Sequence, residues 1–316
     1  MKVLFHTNTL NYRGTTVAVA DYARYNQDIL GNESIIAYCK TNGTEKDMGN
    51  ENIVIGDLKK KFNVVGYRSG DLEKKIDDLN IDIAYFINSG KKEVLPTNCK
   101  TAVHAVFQFN EPHGDRYGYI SDWLSSKMSQ SKIPFVPHIV SLPAPNKNYR
   151  EAFGITEDQI VIGRLGGYFT FDIPFVKKAV EKIVLTDKRF VFLFVGTEPF
   201  VKHPNVHYIN ETCDSQKKSN FINTCDAMLH ARHRGESFGL SVAEFLSQNK
   251  PVLAWNDGYD LNHLQMLEGS NTLYSEKDFI EKLINIKDLD TQNWVERTIN
   301  YSPEVVMNKF KEVFLS

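Results

Sequence analysis

Cysteine is scarce in this chain and follows no pattern. The 316 residues hold four (Cys39, Cys99, Cys213 and Cys225), with no CxxC spacing. That excludes a zinc ribbon and a disulfide framework, and it fits a reducing compartment. An excess of one charge is also lacking: Lys and Arg total 37 against 39 Asp and Glu, a formal net charge of −2. No global attraction to nucleic acid follows from such a balance. Short basic runs such as Lys59-Lys60-Lys61 and Lys91-Lys92 read as solvated faces, leaving at most peripheral membrane contact. No apolar run nears the ~20 residues of a membrane-spanning helix. Lys2-Val3-Leu4-Phe5 opens a strand rather than the apolar region of a signal peptide. The expectation is a soluble, cytoplasmic protein without repeats or low-complexity segments.

Hydrophobic residues make up 42% of the chain, enough for a sizeable core. Apolar strand patterns fall at 2–6, 34–38, 81–87 and 101–107, with shorter ones at 53–54, 63–65, 119–121 and 135–137. Helical spacing covers 16–29 and 72–79. Residues 141–148, rich in Pro and Asn, interrupt the alternation. It then resumes with strands at 159–163, 190–195, 206–209, 226–230, 251–255 and 272–274, and helices at 175–184, 216–224, 241–247, 276–286 and 303–314. Such alternation predicts an α/β protein of two doubly wound, Rossmann-like parallel sheets. The expected boundaries are 1–142, 149–300 and a final helix within 301–316 that crosses back to the first domain. Ligands of such sheets bind at the carboxyl edges of the strands, here in a cleft expected between the two domains.

The chemically richest stretch is 229–255, which reads as strand, polar loop, helix, turn and strand. Glu236 and Glu244 stand eight residues apart, one before the helix and one inside it. Ser237 and the amides of Phe238, Gly239 and Leu240 lie where an opening helix presents free N–H groups to an anion or hydroxyl. In Gly163-Arg164-Leu165-Gly166-Gly167-Tyr168 the guanidinium of Arg164 is expected at the carboxyl edge of a strand, able to hold a diphosphate by paired hydrogen bonds. Gly166 and Gly167 would let backbone approach the ligand. This turn lacks the third glycine of a dinucleotide fingerprint. Gly14, Thr15 and Thr16 form a turn with a possible threonine N-cap. His104 sits on an apolar strand, where histidine is usually a hydrogen-bonded core residue; His113 sits in a loop. Asp288-Leu289-Asp290 is the sole DxD triplet; it follows a late helix, the wrong place for a metal-dependent GT-A site, and reads as a solvated loop.

Taken together, Glu236-Ser237-Phe238-Gly239-Leu240, the second glutamate Glu244 and the following Lys250-Pro251-Val252 resemble the donor-binding signature of retaining GT-B glycosyltransferases, in particular family 4, whose motif is Glu, seven residues, Glu. The resemblance is specific over most of the C-terminal half and covers the N-terminal half only in organisation. It implies transfer of a hexose-type sugar from a UDP- or GDP-linked donor to an acceptor hydroxyl with retained anomeric configuration, without a metal or other cofactor. Glu236 would then contact donor-sugar hydroxyls, Glu244 the ribose, and Arg164 the diphosphate. Gly14 and Thr15 match a loop facing the donor, and His104 matches a histidine near the donor sugar. Tyr208 and Ile209 match the position where backbone groups bind the base, and Ser121 matches a strand-ending serine. The sequence departs from the family at Phe169, where a phosphate-binding lysine is usual; Thr170, Arg232 or Arg234 would compensate. Residues 256–260 diverge as well and receive no role. A nucleotide-sugar 2-epimerase of the same architecture and a non-catalytic nucleotide-sugar-binding protein remain open alternatives.

Overall fold

Runs of Val, Ile and Phe separated by helical patterns build two parallel sheets in the computed structural model, which describes residues 1–40, 49–289 and 293–316. The chain divides into one unit of Met1–Ile139 with Tyr301–Ser316 and a second of Val140–Asn300.

In the first unit β1 (Lys2–Thr7), α1 (Gly14–Asp28), β2 (Glu33–Lys40), α2 (Asn52–Lys59), β3 (Asn63–Arg68), α3 (Leu72–Leu79), β4 (Ile83–Asn88), β5 (Lys100–Ala105), β6 (Arg116–Tyr119) and α4 (Asp122–Ser129) follow one another. The six strands pair in the order β3-β2-β1-β4-β5-β6, every pair parallel. The second unit runs β7 (Ile160–Leu165), α5 (Pro174–Thr186), β8 (Phe190–Val195), β9 (Val206–Ile209), α6 (Ser215–Thr224), β10 (Ala227–His230), β11 (Gly235–Glu236), α7 (Leu240–Ser247), β12 (Val252–Trp255), β13 (Asp260–Leu261), α8 (Asn262–Met266), β14 (Leu273–Tyr274) and α9 (Phe279–Ile284). Its sheet order is β14-β12-β10-β7-β8-β9, while β11 and β13 form a separate parallel ladder. Counted within each unit, both sheets have the doubly wound order 3-2-1-4-5-6. Connections reverse direction between β1 and β4 in one sheet and between β7 and β10 in the other. Ligands of doubly wound sheets bind at such reversal points, so the ends of β7 and β10 are the place to look in the second unit.

After the second unit the chain returns as α10 (Pro303–Phe310), and Lys311–Leu315 continues it as a π-helical turn. Phe310 stacks on Phe5 and Tyr22 at centroid separations of 6.1 and 5.1 Å, and Phe314 lies 4.9 Å from His104. The last helix therefore supplies part of the first unit's core.

Local expectations fail in four places. Residues 53–54 lie in α2 and not in a strand, because Val54, Ile55 and Leu58 share one buried face at helical spacing while Ile53 is exposed. Ser121 does not end a strand: β6 stops at Tyr119, and the Ser121 hydroxyl accepts from the Leu124 amide to cap α4. Phe135 makes a single bridge to Tyr119, so 135–137 is no strand. Thr16 lies inside α1, whose N-cap is Arg13, and its hydroxyl accepts instead from the Asn11 amide. Asp290 of the DxD triplet lies outside the described residues.

Candidate active site

His230 closes β10, and the loop after it carries Arg232 and Arg234 to the short β11, which ends on Glu236. The loop can return on itself because of two glycines. Gly235 has φ +74°, and a Cβ there would run into the carbonyl oxygen of Asp260 and the ring of His263. Gly239, at φ +95°, is the N-cap of α7, and its Cα hydrogen faces the Glu236 side chain. With glycine at that position no side chain caps α7. The first-turn amides of α7 therefore have no acceptor from a cap side chain.

The Glu236 carboxylate is gripped from one side. Arg232 Nη1 donates to Oε2 at 2.8 Å, while His230 Nε2 stands 3.4 Å from Oε1. Burial works against the charge, but His230 and the Arg232 cation outweigh it and hold the carboxyl at about 2, below the usual 4.5. Glu236 is thus an anion at neutral pH, with 18% of its side chain still open to solvent. Arg234 takes a different acid: its Nε donates to Asp260 Oδ2 at 2.8 Å, and its guanidinium lies 5.3 Å from the centre of the exposed Tyr259 ring. Of the two arginines considered as replacements for the missing lysine, only Arg232 is joined to Glu236.

Arg164 is placed otherwise than the sequence implied. It lies inside β7 and is buried; its Nη1 donates to Val195 O, Gly196 O and Thr197 Oγ1, and its Nη2 to Gly167 O and Thr170 Oγ1. The fork thus ties the loop after β7 to the loop after β8. Glycine at 166 leaves room for that network, since a Cβ there would strike the guanidinium. Gly167, by contrast, has open space beside it. Burial lowers Arg164 to about 10, with Glu236 and Glu211 pulling the other way, so it remains a cation near the glutamate. Thr170 is absorbed into the same network, and Phe169, 78% exposed, offers no donor. Asp172 does not cap α5, whose N-cap is Ile173; its carboxylate accepts from the His233 amide at 2.7 Å and so fixes the loop of Arg232.

Glu244 is buried within α7 and receives a 2.8 Å hydrogen bond from Lys218 Nζ on α6; the two side chains are 5% and 8% exposed. Tyr208 is half-buried: its hydroxyl accepts from the amides of Phe200 and Val201 and donates to Val201 O. The Ile209 carbonyl already accepts from Gly196 N. Ser237, Phe238 and Leu240 stay with Glu236 at the start of α7, and Asn262 Nδ2 donates to the Phe238 carbonyl.

In the first unit Gly14 and Thr15 open α1, whose N-cap Arg13 makes no side-chain cap bond. A Cβ at Gly14 would meet only open space. His104 is a correction. It is wholly buried, with Nδ1 2.6 Å from the Tyr85 hydroxyl and Nε2 3.2 Å from the Tyr119 carbonyl. Since a carbonyl only accepts, Nε2 carries the proton and Nδ1 accepts from Tyr85. A neutral ring with both nitrogens engaged, held by burial at about 3, has the surroundings of a core histidine. His113 lies elsewhere in this unit, its Nδ1 2.8 Å from Glu111 O.

Four side chains of the second-unit site had no sequence signal: His230, His263, Asp260 and Lys218. His230 lies within 229–255 without a spacing that singles it out. The others reach Glu236, Arg234 and Glu244 only through the tertiary packing of α8, β13 and α6.

No family profile matches the chain, and no curated protein sequence does. Solved structures do. A glycosyltransferase from Rickettsia africae superposes with a TM-score of 0.69 at 15% identity, over 99% of this chain and 97% of that one. Anabaena HepE, in complex with UDP and glucose, gives 0.71 at 12% identity over 99% and 98%. A TarM variant from S. aureus, in a complex that includes UDP, gives 0.69 at 12% over 100% and 99%. Together with the two sheets and their strand order, these likenesses show that the chain has the fold of GT-B glycosyltransferases.

Proposed function

We propose that this protein is a retaining glycosyltransferase that moves a hexose-type sugar from a UDP- or GDP-linked donor to an acceptor hydroxyl, in glycan or glycoconjugate synthesis in the cytoplasm. The observation that carries the reading is the anionic Glu236, paired with Arg232 at the uncapped start of α7 and beside the reversal point of the second sheet. A fixed carboxylate accepts from sugar hydroxyls, and helix-start amides with a neighbouring arginine suit a diphosphate. The complexes of HepE with UDP and glucose and of TarM with UDP are in keeping with such a donor.

In this reading Glu236 holds the donor sugar by its hydroxyls and the α7 amides meet sugar and phosphate oxygens. Glu244, one oxygen held by Lys218, offers the other to the ribose. Arg232 takes the part of the missing lysine. Arg164 acts through its charge and through the two loops it joins. The acceptor oxygen attacks the anomeric carbon from the face of the departing diphosphate. As the new C–O bond forms, the old one breaks, and the hydroxyl proton passes to a phosphate oxygen. Charge gathering on the leaving group is stabilised by amides and arginine already in place. No metal takes part, so turnover is expected to be unchanged in excess EDTA; a loss restored by Mg²⁺ or Mn²⁺ would sink that point.

The deciding experiment screens nucleotides and nucleotide sugars by thermal shift, then follows hydrolysis of the best donor. Glu236→Ala is expected to lower turnover about 100-fold, the effect of removing a charged hydrogen-bond partner worth ~2–3 kcal/mol. No binding of any nucleoside diphosphate overturns the reading. Binding without turnover favours a non-catalytic nucleotide-sugar-binding protein, to which the internal commitment of Arg164 and the phenylalanine at 169 lend support.

A further inference from the structure

Beneath Glu236 lies a pair of histidines that the proposed reaction has not used. His230, at the end of β10, and His263, on α8, are buried with ring centroids 4.7 Å apart. His263 Nε2 lies 2.9 Å from the Trp255 carbonyl. That carbonyl can only accept, so His263 carries its proton on Nε2 and turns the bare Nδ1 inward. This Nδ1 and both ring nitrogens of His230 are buried without a hydrogen-bond partner among the described residues. Buried polar atoms left so are uncommon and call for a physical reason.

The geometry points to one. Arg232 grips Oε2 of Glu236, and His230 Nε2 faces Oε1 at 3.4 Å without completing a hydrogen bond. A small turn of the ring that aims Nε2–H at Oε1, with a slight shortening of the 3.4 Å separation, turns this approach into an N–H···O⁻ bond. The ring of His230 cannot retreat from the carboxylate, because His263 lies against it and Tyr274 donates to its backbone carbonyl at 2.8 Å. His263 is itself pinned by Trp255, and glycine at 235 is what leaves room for its ring. The other charged groups nearby are Arg164 on β7 and Asp260 on β13; Asp260 is engaged by Arg234.

We propose that His230, braced by His263, is a positioning residue for Glu236. When a donor sugar engages the carboxylate, His230 Nε2–H closes on Oε1 while Arg232 keeps Oε2, so the carboxylate plane is set toward the sugar hydroxyls. This rests on the glycosyltransferase reading for its consequence, though not for the contact itself.

Two variants and one spectroscopic signature test it, with UDP-glucose and UDP as probes. Gln presents an N–H where His presents Nε2–H, whereas Phe fills the volume without a donor. His230→Phe is expected to lower kcat/KM for UDP-glucose hydrolysis about tenfold while UDP still shifts the melting temperature, which reports an intact fold. His230→Gln is expected to stay within about threefold of wild type. Equal losses in both variants, or none in His230→Phe, overturn the proposal. If the wild-type protein hydrolyses no nucleotide sugar, the glycosyltransferase reading fails, and the contact is then judged by ¹⁵N NMR of the histidine rings. Glu236→Gln is expected to move the ring resonances of His230. Unmoved resonances overturn the positioning role whatever the reaction.

Discussion

Lys218→Met is expected to destabilise the second unit by ~3–5 kcal/mol. The substitution removes one half of a pair with almost no solvent access, Lys218 Nζ at 2.8 Å from Glu244 Oε1, and leaves a carboxylate in an apolar helix face. Val242, Ala243, Phe245 and Leu246 flank Glu244 and are themselves buried, so little water reaches the carboxylate to replace the ammonium. Desolvation of an unpaired charge sets the size of the effect, and attraction between the partners enters only as what had offset it. The double variant Lys218→Met with Glu244→Leu is therefore expected to regain most of the loss, because two apolar side chains of similar volume replace the ions. Urea denaturation measures both. The same double variant separates structure from function: if Glu244 accepts from the ribose, stability returns while the thermal shift produced by UDP does not. A single variant as stable as wild type would show that the charge finds solvent after all.

The largest pH effect is expected in the first unit. Burial holds His6 at about 4 and His104 and His138 at about 3, against 6.5 for an unconstrained ring. Their pKa values are depressed by folding, so their contribution is fully present above pH 6.5. It is lost as pH falls below that value, because the unfolded chain binds protons the native rings refuse. Each ring removes up to ~1.4 kcal/mol per pH unit, so three together weaken the unit by about 5 kcal/mol between pH 6.5 and 5. His263, held by burial at about 3, adds a similar slope to the second unit. Glu236, held low by His230 and Arg232, contributes only at stronger acid, below about pH 4.5. Denaturant unfolding at half-unit steps of pH measures the slope. His104→Gln keeps groups able to bond Tyr85 and Tyr119 but does not titrate, and is expected to remove about a third of the first unit's slope. Equal stability at pH 7 and pH 5 would mean that these rings are hydrated or already charged in the folded protein.

Much of the fold was legible because strand and helix periods are local. The Ile and Val run at 160–162 and the Phe and Val run at 190–195 need no partner to be recognised, since a parallel strand covered on both faces is apolar there. Where the signal was short it misled. Ile53-Val54 suits either period, and only the burial of Val54, Ile55 and Leu58 on one face decides for a helix. Strand ends misled too: Ser121 belongs to the helix that follows, because its hydroxyl finds the Leu124 amide.

The site divides along the same line. Spacing alone put Glu236 and Glu244 on either side of one helix start and placed glycine where the loop must turn. Sequence could also name the residue types able to hold an anion. It could not say which acid each distant base would meet, since Arg234 with Asp260 and Lys218 with Glu244, like the contact of His230 with His263, depend on segments packed in three dimensions. Arg164 shows the difference most plainly. Its place after an apolar strand suggested a ligand contact, yet in the folded chain its Nη groups donate to the carbonyls and hydroxyls of two loops. Periodicity and glycine placement determined the two doubly wound sheets and the position of the helix start, because those rest on interactions between near neighbours in the chain. The partners of Glu244 and Asp260 were decided by tertiary structure alone, because the desolvation that makes such a pairing necessary arises only when distant segments exclude water.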